Sequence, residues 1–453
     1  MSVSAPSPTR ARPWPLVTAA AVCLLSFTAF WVAQRLAHVN MLDVMVYRAE
    51  AETLRAGGDL YAMRATSANL AMTYPPFAAV LFLPLTLVGV PLMRTLNTAG
   101  NLLLVVALVQ LSLQLVRPSL ARPGARADLW RTTLWIAAVV VWCEPVWTTL
   151  RYGQINLLIA VAVLWDLTRR EGSRSGRWAG LGIGLATAVK LTPGLFVVLL
   201  FAAGLVLWRR DRAAGAGSGR GVNAWLRTAL TATGVFLATT LVMAVALPAD
   251  SRTFWTRTLF ETGRVGHTEE TANQSLSGVL ARLMHTDAPG LWWVAAALLL
   301  GGAAMVLAVR AAVRGDRAVA VVITAFTALM ISPISWSHHW VWAVPLLILL
   351  HERCTRAWPV TAAVALAFAS FALWWVPHDP GRPELEQNAG QMLLSAVYPL
   401  TALAVFAGYA LSLRRARNEP LPTTVPHPRE ETRETHGTRE PQTARAAQAV
   451  AKE

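Results

Sequence analysis

WPLVTAAAVCLLSFTAFWVAQRL, residues 14–36, leads into Leu42-Asp43-Val44-Met45-Val46-Tyr47, and this junction decides how the rest of the chain is read. An apolar run of that length matches the hydrocarbon thickness of a bilayer. It is too long for a signal-peptide core and lacks a clear Ala-x-Ala cleavage site. We therefore expect an uncleaved first helix, with Arg10 and Arg12 on its cytoplasmic side. Asp43 then stands where the helix delivers the chain to the far membrane surface. Residues 44–55 read as a short amphipathic helix lying along that surface and ended by Gly57-Gly58. A carboxylate just ahead of a helix is either an N-cap for free backbone N–H groups or a base available for chemistry.

Working outward, composition agrees with the junction. A chain of 453 residues that is 55% hydrophobic and only 14% charged is no water-soluble globule, because its repeated apolar runs need lipid around them. The formal charge of +15 does not point to nucleic acid, since the arginines cluster in short segments between apolar runs. Of the 40 basic residues only Lys190 and Lys452 are lysine, which makes Lys190 conspicuous. Cys23, Cys143 and Cys354 lie in or beside apolar runs without metal-ligand spacing and imply no disulfide framework.

The basic segments 117–131, 169–177, 209–227, 310–317 and 351–356, and the tail from Arg414, are assigned to the cytoplasm. The connections near Tyr152-Gly153-Gln154, and at 248–290, 335–340 and 377–391, face outward. Counting one helix per apolar run predicts an all-α polytopic membrane protein with about twelve transmembrane helices, both termini inside, and an external first loop at 38–73. Residues 1–413 form the membrane domain, and 414–453 are expected to be a disordered cytoplasmic tail. The apolar region from Tyr74-Pro75-Pro76-Phe77 to Val116 is too long for one span and too short for three. Its breaks at Pro84 and Gly89-Val90-Pro91 predict one full helix plus one short or re-entrant piece.

Residues 178–208 depart from this regularity. They begin and end beside cytoplasmic arginines, yet Lys190-Leu191-Thr192-Pro193-Gly194 splits them into two helices meeting inside or near the outer half of the bilayer. The stretch from Trp178 to Lys190 rises only about 18 Å. An ammonium at that depth is costly unless it faces water or an anion, so Lys190 points to function. The plainer reading is a lysine snorkelling to an interface.

With this topology the outward face collects Asp43, Tyr74, Arg151, Gln154, Asn156, His267, Asn273, Gln274, Ser275, His338 and His339, with Lys190 beneath them. One carboxylate among cations and amides suits an anionic, lipid-linked substrate and a hydroxyl acceptor. No metal-ligand pattern accompanies His338-His339, so no metal and no cofactor are expected. Each residue also has a structural reading. Tyr74-Pro75-Pro76 sets the angle at which a helix begins, Gln154 and Asn156 hydrogen-bond between helices, and Trp336 with the histidines anchors the interface.

The order Asp43-x-x-Val46-Tyr47, Gly58-Asp59-Leu60-Tyr61, Tyr74-Pro75-Pro76-Phe77, Gly153-Gln154-Ile155-Asn156, Lys190-Leu191-Thr192-Pro193, Asn273-Gln274-Ser275-Leu276 and Ser332-Pro333-Ile334-Ser335-Trp336-Ser337-His338-His339 resembles glycosyltransferase family 87. The resemblance spans the chain up to the tail. It implies a GT-C-type fold in the cell membrane, with the active site facing the external side. It also implies a polyprenyl-phosphate-mannose donor, and inverting α-1,2 transfer to a lipid-linked or envelope glycan acceptor. Asp43 matches the family's general base in the first external loop. Lys190, Arg151, His338 and His339 are then the candidates for holding the donor phosphate. A GT-C transferase for another polyprenyl-phosphate sugar, or a transporter or flippase of lipid-linked sugars, stands as the alternative. A transporter is expected to carry midplane polar residues between internal repeats, and no convincing repeat is seen.

Overall fold

The computed structural model describes residues 14–418 apart from 123, 170–171, 215–221, 355–356 and 379–380. Residues 1–13 and the tail beyond Asn418, which holds most of the segment expected to lack structure, lie outside the described residues. The chain divides into one unit up to Ala410 and a second from Leu411.

The fold is helical throughout. Among the described residues no strand forms, and the β-bridges Ala65 to Leu70 and Asn273 to Trp336 are isolated. In chain order the helices are α1 (Trp14–Leu36), α2 (Leu42–Arg55), α3 (Pro76–Leu81), α4 (Val90–Val116), α5 (Arg126–Val140) and α6 (Glu144–Tyr152). They continue with α7 (Asn156–Leu167), α8 (Leu181–Val189), α9 (Gly194–Ala213), α10 (Ala224–Ala246), α11 (Pro248–Thr256) and α12 (Leu276–Leu283). The last are α13 (Gly290–Val313), α14 (Arg317–Ile331), α15 (Ala343–Arg353), α16 (Trp358–Ala369), α17 (Ala389–Ser395) and α18 (Val397–Asn418), and a 3-10 segment, Ser337–Trp342, precedes α15.

Among the described residues, α1, α4, α10, α13 and α18 are long and apolar enough to cross a membrane; α5 and α6, bent by 78° at their break, make a sixth if they count as one span. The apolar helices α7, α14 and α16 are shorter. The outer faces of α4, α10 and α13 carry large exposed apolar side chains such as Leu103, Leu241 and Leu299, as expected of a surface in contact with lipid.

Proline and glycine chemistry places the breaks. Pro76 opens α3 at its first position, where a missing N–H costs nothing, and α3 stops after six residues. Pro91 likewise sits in the first turn of the 27-residue α4. The region therefore holds one full helix and one short piece. Between α8 and α9, Lys190 adopts an extended backbone (φ −148°, ψ 127°) and Pro193 cannot continue the ladder. Gly180 (φ +108°) lets α8 lie against α10, since a Cβ there would come within 2.5 Å of the Thr228 carbonyl. Asp166 on α7 pins the same end by accepting the Ile183 N–H at 2.8 Å, satisfying one of the free donors at the start of α8.

Two polar hubs position the outward loops. Glu144, 0% exposed, accepts from Thr148 (2.8 Å), Ser337 (2.7 Å), the Trp374 indole (3.1 Å) and Tyr398 (2.6 Å), joining α6, the 3-10 segment and α18. The second hub is the Asn273 side chain, which accepts from Ser335 N (2.9 Å) and donates to the carbonyls of Thr268 (2.8 Å) and Pro333 (3.3 Å). Gln274 donates to the carbonyls of Thr271 (2.7 Å) and Ser395 (2.6 Å), and Ser275 caps α12. The first loop closes over α11 through Leu60, Tyr61 and Met72, which pack with Phe254.

Candidate active site

The site is built on one face of α2. Asp43, Tyr47 and Glu50 are spaced so that they share a stripe along the helix. The helix begins two residues earlier than the amphipathic pattern suggests. Met41 occupies the cap position in a left-handed conformation (φ 52°) with no side-chain cap bond, and Asp43 lies inside the first turn. The N-cap reading of Asp43 is thereby corrected, because its carboxylate sits past the position from which a cap oxygen accepts the free N–H groups of the first turn.

Asp43 borders two cavities. The first, about 240 Å³, is lined by Asp43, Tyr47, Glu50, Tyr74, Gln154, Lys190, Arg264, Trp336 and His339, with Phe254, Leu259 and Val265 as its apolar wall. The second, about 330 Å³, is lined by Asp43, Tyr152, Glu270, Trp336, His338, Trp374, His378 and Glu384. Asp43, Leu70, Val265 and Trp336 belong to both. The carboxylate is thus reachable from either chamber.

In the first chamber, Tyr47 donates to Gln154 Oε1 at 2.7 Å and meets the Tyr74 hydroxyl at 3.2 Å, while its ring stacks on Phe82 with centroids 4.3 Å apart. Held this way, the Gln154 amide donates to Asp43. Lys190 Nζ lies 3.0 Å from His339 Nε2 and 3.4 Å from Asn156 Oδ1, and 5.5 Å from the centre of the Tyr74 ring. An ammonium has three donors and no acceptor, so the His339 ring accepts at Nε2 and keeps its proton on Nδ1. The His338 carbonyl accepts from Thr149 (2.7 Å) and Asn156 (3.0 Å), which fixes the backbone between the two histidines.

The electrostatics follow from burial. Burial pushes the Asp43 carboxyl up to about 6, against a hydrogen bond from Gln154 and the Lys190 charge, which both pull it down. At neutral pH it is ionised and more basic than a solvated carboxylate. Burial, reinforced by the Lys190 charge, lowers His338 to about 3 and holds His339 well below its ordinary value. Both rings are neutral, so they are hydrogen-bonding groups rather than the cations the sequence suggests. His338 Nε2 is buried and has no hydrogen-bond partner among the described residues.

The structure thus gathers Asp43, Tyr74, Gln154, Lys190 and His339 around one chamber, with Asn156 behind Lys190 and His338 in the other. It places three candidates elsewhere. Arg151 is exposed, its guanidinium 6.0 Å from the centre of the Tyr152 ring and outside the lining of both chambers. Asn273 and Gln274 are 0% exposed, and their amides are engaged in holding the loop that carries Trp336 and the histidines. In Arg151's stead, Arg264 lines the first chamber. It donates to the carbonyls of Tyr61 and of Met72 and pairs with Glu261 at 3.5 Å. Sequence reasoning missed Arg264 and Glu50 in the first chamber, and Glu144, which holds Ser337 and Trp374 of the second. Glu50 stands seven positions after Asp43, a spacing that returns a helix to the same face. Glu144 is a lone carboxylate between Trp142-Cys143 and Pro145-Val146, which the rule that singled out Lys190 also covers. Among the described residues no His, Cys, Asp and Glu side chains group in threes to hold a metal ion.

Comparison with known proteins adds the following. Residues 72–333 match the family model of glycosyltransferase family 87. The chain is 33% identical over 401 residues, 84% of each sequence, to the polyprenol-phosphate-mannose-dependent alpha-(1-2)-phosphatidylinositol pentamannoside mannosyltransferase of Mycobacterium tuberculosis. It is 33% identical over 390 residues, 80% of this chain and 82% of the relative, to the polyprenol-phosphate-mannose-dependent alpha-(1-2)-phosphatidylinositol mannoside mannosyltransferase of Mycolicibacterium smegmatis. Among solved structures it is similar to ArnT from Cupriavidus metallidurans bound to undecaprenyl phosphate, with a TM-score of 0.44 and 16% identity over 89% of this chain and 77% of that one. That likeness is too distant to bear on the site.

Proposed function

The chain belongs to glycosyltransferase family 87, and we propose that it transfers mannose from polyprenol-phosphate-mannose to a phosphatidylinositol-mannoside type of acceptor, with inversion, forming an α-1,2 bond. The observation that carries this reading is the position of Asp43 between two chambers, one holding a lysine and one rich in aromatic and acidic side chains. The donor phosphate and mannosyl group occupy the first chamber. The acceptor sugar enters the second, where Tyr152, Trp336 and Trp374 offer faces for a pyranose ring and Glu270 and Glu384 offer acceptors for its hydroxyls.

Transfer is a single displacement. The acceptor hydroxyl gives its proton to the Asp43 carboxylate as its oxygen attacks the anomeric carbon. The bond from that carbon to the phosphate oxygen breaks, and polyprenyl phosphate departs with the electron pair. Its charge grows as it leaves, so Lys190 stabilises the transition state more than the bound donor. His339 orients the ammonium, and Gln154 orients the base.

The membrane arrangement consistent with this chemistry is a GT-C-type one. Crossings assigned to α1, α4, α5, α7, α8, α9, α10, α13, α14, α15, α16 and α18 give about twelve passes. The short helices α2, α3, α6, α11, α12 and α17 and both chambers then lie on the external side of the cell membrane. Residues 1–413 make up the transferase, and 414–453 a cytoplasmic tail.

The test is transfer by purified protein in lipid, from synthetic polyprenyl-phosphate-mannose to phosphatidylinositol mannosides, with product linkage read by α-1,2-specific mannosidase digestion. The expected result is a product that the digestion returns to acceptor. Absence of transfer from this donor would sink the reading and reopen transport. The raised carboxyl of Asp43 adds a second expectation. Since the base must be ionised, kcat/KM falls tenfold per pH unit below about 6. A profile flat down to pH 4.5 would exclude Asp43 as the titrating base.

A further inference from the structure

Glu50 is a buried carboxyl that the mechanism above leaves without work. It is 1% exposed, and its Oε2 is buried without a hydrogen-bond partner among the described residues. It nevertheless lines the first chamber. Glu144, equally buried, shows what a structural carboxyl requires in this fold, with four donors arranged around it. Glu50 has none of these. Of the chamber cations, Arg264 is committed to Tyr61, Met72 and Glu261 and Lys190 to His339 and Asn156, and the charge that Glu50 chiefly feels is the like charge of Asp43.

We propose that Glu50 reads a hydroxyl of the transferred sugar and so sets which hexose the donor chamber accepts. This rests on the reading that the first chamber holds the donor. A polar group buried against a cavity, and left unsatisfied by its own fold, is completed by a ligand that brings the missing partner. Burial and the Asp43 charge push the Glu50 carboxyl well above the usual carboxylate range. The neutral form that this favours both donates and accepts, which is the hydrogen-bonding valence of a sugar hydroxyl. The helix sets the distance. Seven residues of α2 separate Asp43 from Glu50 by about 10 Å. That is the span from a base on the attacking oxygen, across the anomeric carbon and the ring, to a hydroxyl on the far side. Tyr47 lies between them but is already spent on Gln154 and Tyr74.

A site built to hydrogen-bond a substrate hydroxyl rejects the analogue lacking it, because its own buried group is then unpaired. The experiment compares kcat/KM for polyprenyl-phosphate-mannose with those for the 2-, 3-, 4- and 6-deoxy donors, in wild type, Glu50→Gln and Glu50→Leu. Wild type is expected to disfavour one deoxy donor by about 100-fold or more. In Glu50→Leu that single ratio collapses towards one while the other three stay as in wild type. Glu50→Gln, which exchanges the acid proton for an amide, shifts the same ratio by about tenfold. A purely structural role predicts instead that every donor slows by a common factor with all ratios kept, and that outcome overturns the proposal. Should Glu50→Leu fail to fold, Glu50→Gln decides alone, and ratios identical to wild type for all donors overturn it. Wild type that fails to use the mannosyl donor at all sinks the reading of the chamber, and the proposal falls with it.

Discussion

Asp43→Asn is expected to lower mannosyl transfer by about 10³- to 10⁴-fold while leaving the protein as stable as wild type or more so at pH 7.5. Both halves follow from the same surroundings. The amide keeps the shape and the contact with Gln154 but takes no proton from the acceptor. Its effect on stability is opposite to that of losing a cap, because Met41 holds the cap position of α2 and Asp43 does not. The folded state holds the Asp43 carboxyl near 6, above its ordinary 3.8, so the folded protein binds the proton more tightly than the unfolded chain. Stability contributed by this group is therefore highest when it is protonated, falls as pH rises from about 4 to 6, and stays reduced above that. Removing the charge recovers stability on the order of 1–3 kcal/mol, less what the carboxylate gains from the helix dipole in the first turn. The gain should vanish at pH 4. Transfer assays paired with thermal unfolding at pH 7.5 and 4 check both halves. Robust transfer by Asp43→Asn would remove the base, and an unfolded variant would show Asp43 to be structural.

Much of this site was legible in the sequence wherever local chemistry decided the outcome. Pro91 and the Lys190-Leu191-Thr192-Pro193 break act through their own backbone, and the structure puts its helix ends there. The start of α2 was misplaced because the left-handed turn at Met41 depends on how α1 hands the chain over, which no residue type announces. Long-range contact decided the rest. Asn273 and Gln274 look like exposed loop amides until the 333–337 segment and Ser395 arrive to engage them. His338 and His339 look like cations until burial beside Lys190 makes the neutral ring the favoured form. Glu50 reads as part of a solvated helix face, because the first loop folding back onto α11 cannot be foreseen from α2 alone.

That removal of candidate cations concentrates the second large effect on one side chain. Lys190→Gln is expected to cut kcat by about 10²- to 10³-fold, the size of losing one donor to a developing oxyanion, with a smaller change in donor KM. With the two histidines neutral, Arg151 outside the chamber and Arg264 committed to carbonyls, no neighbour replaces the ammonium. Two of its three donors are used on His339 and Asn156, leaving one for substrate. The charge on that substrate changes during the reaction. A mannosyl polyprenyl phosphodiester carries one negative charge, and the departing monoester carries a second. A fixed cation therefore binds product and transition state more strongly than donor. Lys190→Gln should accordingly weaken inhibition by free polyprenyl phosphate more than it raises donor KM, and the two constants measured side by side check it. Equal weakening with kcat intact would make Lys190 a docking group only. Unchanged kinetics would leave it a lysine reaching for the interface, its break in the helix a matter of Pro193 alone.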